Sequence, residues 1–129
     1  MEPDSGRDAI QARRAIFICL TLTLATLLVY GRVGHFDFTN YDDPFLISQN
    51  LIVRAGLTWP GIVWALTTRY YEFWHPLTWL SHMLDCQLFG LRPGLHHLAS
   101  LGFHVANTVL LFAVLRRLTG ALWRSGHED

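Results

Sequence analysis

Two apolar runs set the terms for this chain. Ala15 to Tyr30 passes sixteen residues without a charge, and Leu98 to Leu115 passes eighteen without an acid or an arginine. An α-helix rises ~1.5 Å per residue and a bilayer's hydrocarbon core is ~30 Å thick, so about 20 apolar residues are needed to cross it. The first run reaches that length if it begins near Ala12 and continues to Val33, with Arg14 and Arg32 snorkelling to the two interfaces. The second reaches it between Leu95 and Leu118, ahead of or against Arg116 and Arg117. A cleaved signal peptide is the rival reading of the first run, but no small-x-small cleavage site follows Tyr30. A buried helix of a soluble bundle is the rival for the second, and its length and flanking arginines favour a span.

Composition points the same way. Hydrophobic residues make up 51% of the 129 residues and charged residues 16%, below the ~25% charged usual in soluble domains. The formal net charge is zero, so no basic field exists to recruit nucleic acid. Cys19 lies in the first run and Cys86 in the loop, a placement that supports neither a disulfide framework nor a zinc-binding cysteine pair.

The arginines orient the hairpin. Three of the ten lie in the first fourteen residues, three in the last fourteen, and four in the 67 residues from Gly31 to His97. Both termini are therefore expected in the cytoplasm and the loop outside. The expected fold is an all-α membrane protein in which two transmembrane helices are joined by a long outer loop. The divisions are a cytoplasmic segment 1–14, a first span 15–33, an extracytoplasmic loop 34–95, a second span 96–118 and a cytoplasmic tail 119–129.

The loop carries structure of its own. Four of the five tryptophans, Trp59, Trp64, Trp74 and Trp79, fall in it. Thr58 can cap a helix with Pro60 in its first turn, running to about Thr68. His75-Pro76 opens a second helix that runs to Phe89 and stops at Gly90. In it Leu77, Leu80, Leu84 and Leu88 recur at helical spacing, an apolar face suited to the membrane interface. Arg92-Pro93-Gly94 turns the chain into the second span.

Several side chains could carry chemistry. Asp42 and Asp43 form the one adjacent pair of acids in the loop; one could take a proton from an acceptor hydroxyl, or the pair could hold a divalent cation. The plainer reading makes Asp43 the cap of a short helix opened by Pro44, with Asp42 solvated. His82 and Asp85 are three apart and can converge on one ligand, and His75 two turns earlier extends the stripe toward a metal or a phosphate. The plainer reading is a solvated helix face. His96 and His97, at the mouth of the second span, admit the same two readings. Arg54, Arg69 and Arg92 could fork onto a lipid phosphate. In the second span His104, Asn107 and Thr108 share a stripe with Ser100. Hydrogen bonds to Thr23 and Thr26 of the first span would offset their cost in lipid.

The segments Phe38-Thr39-Asn40-Tyr41-Asp42-Asp43-Pro44, Gly56-Leu57-Thr58 and Trp64-Ala65-Leu66-Thr67-Thr68, and above all the run from Trp74 to Gly90, carry a resemblance. With His96-His97, His104 and Asn107-Thr108, the stretch from Val33 to Trp123 resembles the transmembrane and tetratricopeptide-repeat proteins. These belong, with bacterial relatives, to the GT-C superfamily of membrane glycosyltransferases. The resemblance implies a polyprenyl-phosphate sugar donor, an acceptor hydroxyl, and an outer-loop acidic motif matched by Asp42 and Asp43. From the residues themselves, apart from the resemblance, substrate contacts would come from His75, His82, Asp85 and Arg69, and a divalent cation is a possible cofactor. Members have ten or more spans followed by a repeat domain, so this chain is expected to be an N-terminal piece, inactive alone. Its partners would be membrane lipid, the donor and further helices, and not nucleic acid. The all-arginine basic set suits GC-rich codons and hence a bacterial inner membrane. The alternative is a non-catalytic two-span protein acting through helix contacts.

Overall fold

The computed structural model describes residues 5–70 and 73–125. The ends of the expected N-terminal segment and C-terminal tail lie outside the described residues. The described residues are all-helical, with one isolated antiparallel bridge among them, between Tyr70 and Phe73. It divides into two units, one of residues 1–31 with 101–129 and the other of residues 32–100.

The first unit holds α1 (Ser5–Tyr30) and the greater part of α5 (Pro93–Ser125). Helix begins well ahead of the first apolar run and continues beyond the second, since nothing in the flanking polar residues breaks it. Ala9–His35 and Pro93–Gly120 are long and apolar enough to cross a membrane, and their most apolar windows are 0% and 6% buried. Phe17, Leu28 and Val29 on α1 and Leu110 and Leu111 on α5 are all exposed.

The polar side chains of this unit do not bridge the helices in the manner expected from sequence. Thr26 Oγ1 donates to the Leu22 carbonyl at 2.8 Å, and Thr108 Oγ1 to that of His104 at 2.8 Å. A hydroxyl one turn from a carbonyl of its own helix needs no partner elsewhere. His104 instead meets the Tyr30 ring edge-on, with centroids 5.7 Å apart. Asn107 is exposed.

The second unit begins with a 3-10 turn (Gly31–His35), followed by a π-turn (Pro44–Ser48). Three helices come next: α2 (Leu51–Arg54), α3 (Trp59–Thr67) and α4 (Pro76–Phe89). The first residues of α5 complete it. Local chemistry sets each start. Asn50 Oδ1 accepts from Ile52 N and Val53 N and caps α2. Thr58 Oγ1 accepts from Gly61 N and caps α3, while Pro76 and Pro93 supply a fixed φ at the first positions of α4 and α5. Gly90 ends α4 with φ +62°, a conformation that a Cβ resists. A Cβ on Gly94 would overlap the Gly34 carbonyl oxygen, so glycine is what lets the start of α5 lie against the 3-10 turn.

Helix α4 packs on α2 and α3. Ile47, Val53, Ala65, Trp79, Met83 and Cys86 form the core, with Phe38, Leu46, Trp64, Tyr70 and Leu80 packed against it. Trp79 and Met83 are 0% exposed. The Trp79 ring meets Trp64 edge-on at 5.0 Å and Tyr70 at 5.4 Å, and His75 stacks on it at 4.9 Å. The face of α4 that turns inward therefore differs from the leucine stripe. Leu77 is 79% and Leu88 62% exposed. The inward face carries one large aromatic, one thioether, one thiol and one carboxylate, a mixture that a count of leucines cannot detect.

Candidate functional site

The acidic motif sits where the chain reverses between the 3-10 turn and the π-turn. The Asp42 carbonyl accepts from Phe45 N at 3.0 Å and Leu46 N at 2.9 Å, which tightens the turn opened by Pro44. Asp43 occupies the capping position of that turn but makes no side-chain capping bond. Its Oδ2 accepts instead from Thr39 N at 2.7 Å. The capping reading is thus corrected: the carboxylate reaches backward and closes a loop of its own. Asp43 is half-buried, whereas Asp42 is exposed. Asp42 lines a shallow groove with Asn40, Tyr41, Phe45 and Leu46.

A second polar group lies inside the same unit. His82 and Asp85 project from adjacent turns of α4, and His96 projects from the first turns of α5. One candidate ligand atom from each lies within 4.8 Å of the others. Asp85 is 7% exposed and His96 3% exposed. His96 Nε2 lies 2.7 Å from the Gly90 carbonyl. A carbonyl only accepts, so Nε2 carries the proton, and whenever the ring is neutral Nδ1 is the nitrogen that presents a lone pair. That Nδ1 lies 3.9 Å from Asp85 Oδ2, too far for a hydrogen bond. It has no hydrogen-bond partner, and neither does the buried His82 Nδ1. The Phe38 ring closes over His96 edge-on, with centroids 5.4 Å apart.

Burial governs the electrostatics. It pushes the His82 pKa below its ordinary value, and nearby His96 adds to the effect. The Asp43 carboxylate pulls His82 the other way, which brings the acidic motif within electrostatic reach of the cluster. Burial raises the Asp85 carboxyl, opposed by His96. Cys86 is also raised, first by burial and then by Asp85.

Two of the residues singled out from sequence, His82 and Asp85, do converge. Asp85 is buried and His82 half-buried, so the solvated-face reading does not describe them. His75 departs from the stripe because its ring is stacked on Trp79. Arg69 is exposed next to Tyr70. The member supplied by tertiary structure is His96. Its only sequence signal was the His96-His97 pair after a proline-glycine turn, and no spacing rule links it to α4. His97 takes a different path, with Nε2 3.3 Å from the Asp37 carbonyl. Trp79 adds an indole N–H that is buried without a partner.

No protein-family model matches the chain, and no curated protein or solved structure matches it.

Proposed function

We propose that the chain is a two-span membrane hairpin serving sugar transfer from a polyprenyl-phosphate donor to an acceptor hydroxyl. The observation that carries this reading is the division of labour within Asp42-Asp43. The Asp43 carboxylate is used to fold the loop, by its bond to Thr39 N. The neighbouring Asp42 carboxylate is exposed at the groove walled by Tyr41, Phe45 and Leu46. A general base needs an unencumbered carboxylate within reach of the hydroxyl it deprotonates. Asp42 meets that need and Asp43 holds it in place. Apolar walls beside a carboxylate also suit a sugar linked to a lipid.

The membrane setting rests on the two long helices. Large apolar side chains exposed along both are costly in water and favourable in hydrocarbon. The folded unit of residues 32–100 follows the first helix directly and contains the beginning of the second. Such a unit would work at the lipid surface, outside the cytoplasm and, on the codon argument, at a bacterial inner membrane. The resemblance of Trp74 to Gly90 and of the acidic motif to GT-C transferases supports the same assignment. It also implies that further helices complete the site.

Asp42→Asn, placed in the gene at its own locus, tests the proposal. Loss of transfer from a labelled polyprenyl-phosphate sugar supports it, and unchanged transfer rejects it. A second reading, a non-catalytic hairpin that docks on partner helices, draws on the exposed Asn107 and His104 of α5. Asn107→Leu would then break a membrane complex while Asp42→Asn leaves it intact.

A further inference from the structure

The geometry points to a transition-metal site formed by His82, Asp85 and His96, with zinc as the preferred ion. The inference needs only the folded unit of residues 32–100 and stands apart from the sugar-transfer reading.

Three observations converge on it. The donor set is two imidazoles and one carboxylate with ligand atoms within 4.8 Å of one another. Two nitrogen donors with one oxygen suit zinc and its first-row neighbours, whereas magnesium and calcium prefer oxygen alone. His96 is set for ligation by its second shell: Nε2–H donates to the Gly90 carbonyl, leaving Nδ1 as a lone pair. Metal-bound histidines are oriented by such bonds. Finally, the Nδ1 atoms of His82 and His96 are both buried without a hydrogen-bond partner. Such atoms are costly unless they find a partner.

Bonds of ~2.0–2.2 Å to a tetrahedral ion place donors a little over ~3 Å apart. The His96 Nδ1 to Asp85 Oδ2 distance is 3.9 Å and the ligand atoms lie within 4.8 Å of one another, so side-chain adjustments of about 0.5–1.5 Å close the set. Three protein donors leave a fourth position for water or a substrate oxygen, the pattern of catalytic more than of structural zinc. Because His82 and Asp85 belong to α4 and His96 to α5, the ion would also tie these two helices together.

The test uses the full chain in detergent, purified through a tag free of histidine, stripped with chelator and desalted. Re-equilibrated with zinc and desalted again, it is expected to retain one ion per chain by elemental analysis. Cobalt in place of zinc is expected to give the visible absorption of a low-coordinate nitrogen- and oxygen-ligated site. The melting temperature should rise with zinc and not with magnesium. His82→Gln, Asp85→Asn and His96→Gln should each weaken retention by more than the ~10–100-fold that loss of an outer-shell partner costs. His104→Gln should retain the ion. Failure of the unaltered chain to retain zinc overturns the inference. So does retention undiminished in the three variants. If a variant misfolds, the cobalt spectrum of the unaltered chain decides the question, because absence of visible absorption contradicts the site.

Discussion

His96 Nδ1 faces Asp85 Oδ2 across 3.9 Å while the opposite edge of the same ring is fixed by the Gly90 carbonyl. Three pieces of chain meet in that relationship: the body of α4, the glycine that ends it, and the first turns of α5. The orientation of His96 therefore depends on a backbone conformation six residues away.

Gly90→Ala tests that dependence. Its positive φ has no Cβ clash to relieve in space, since nothing lies within 4 Å of the added atom, so the cost is backbone strain alone. Strain of this kind costs of order 1–3 kcal/mol. Thermal melting in detergent should fall accordingly.

The two faces of α4 should respond in opposite ways. Met83→Ala removes a fully buried side chain from the contact with Trp79's side of the core and should cost about 2–5 kcal/mol. Leu77→Ala, on the exposed stripe, should stay within about 0.5 kcal/mol. Both are checked by denaturation of the same detergent-solubilised protein. Equal effects would mean that the buried face has been misassigned.

Thiol labelling should be slow at Cys86. The thiol is 7% exposed, and burial with nearby Asp85 raises its pKa, so little thiolate is formed or reached at neutral pH. Alkylation of Cys86, followed by mass spectrometry, should become fast only when the unit is unfolded.

These contrasts also separate what could be read in the sequence from what could not. The starts and stops were legible because they are local: Thr58 caps α3, Pro76 opens α4 and Gly90 ends it. The short α2 escaped notice because four residues hold no helical period, although Asn50 marks its cap. The leucine stripe of α4 was visible, but hydrophobicity does not say whether a residue meets a protein core or lies exposed. Asp43 stands at the capping position read from the sequence, but its carboxylate accepts from Thr39 N, four residues upstream, a bond that capping rules do not anticipate. Two of the three members of the cluster were legible as the His82 and Asp85 spacing. His96 enters from another helix, and only packing could place it.

On the sugar-transfer proposal, the two acids should separate by function. Asp43→Asn keeps an oxygen to accept from Thr39 N, so the loop should hold and transfer should change little. Asp43→Ala loses the bond, at about 1 kcal/mol, and should impair transfer through the position of Asp42. Rates in native membranes carrying each variant check the order Asn above Ala.

Asp42→Asn is the most direct test of the account. A side chain that acts as general base contributes typically ~10²–10⁴-fold to rate. The measurement is the initial rate of sugar transfer from a labelled polyprenyl-phosphate donor in native membranes, with the variant at its own locus and protein levels matched. The account predicts a fall of at least ~100-fold. A rate equal to that of the unaltered protein would contradict it.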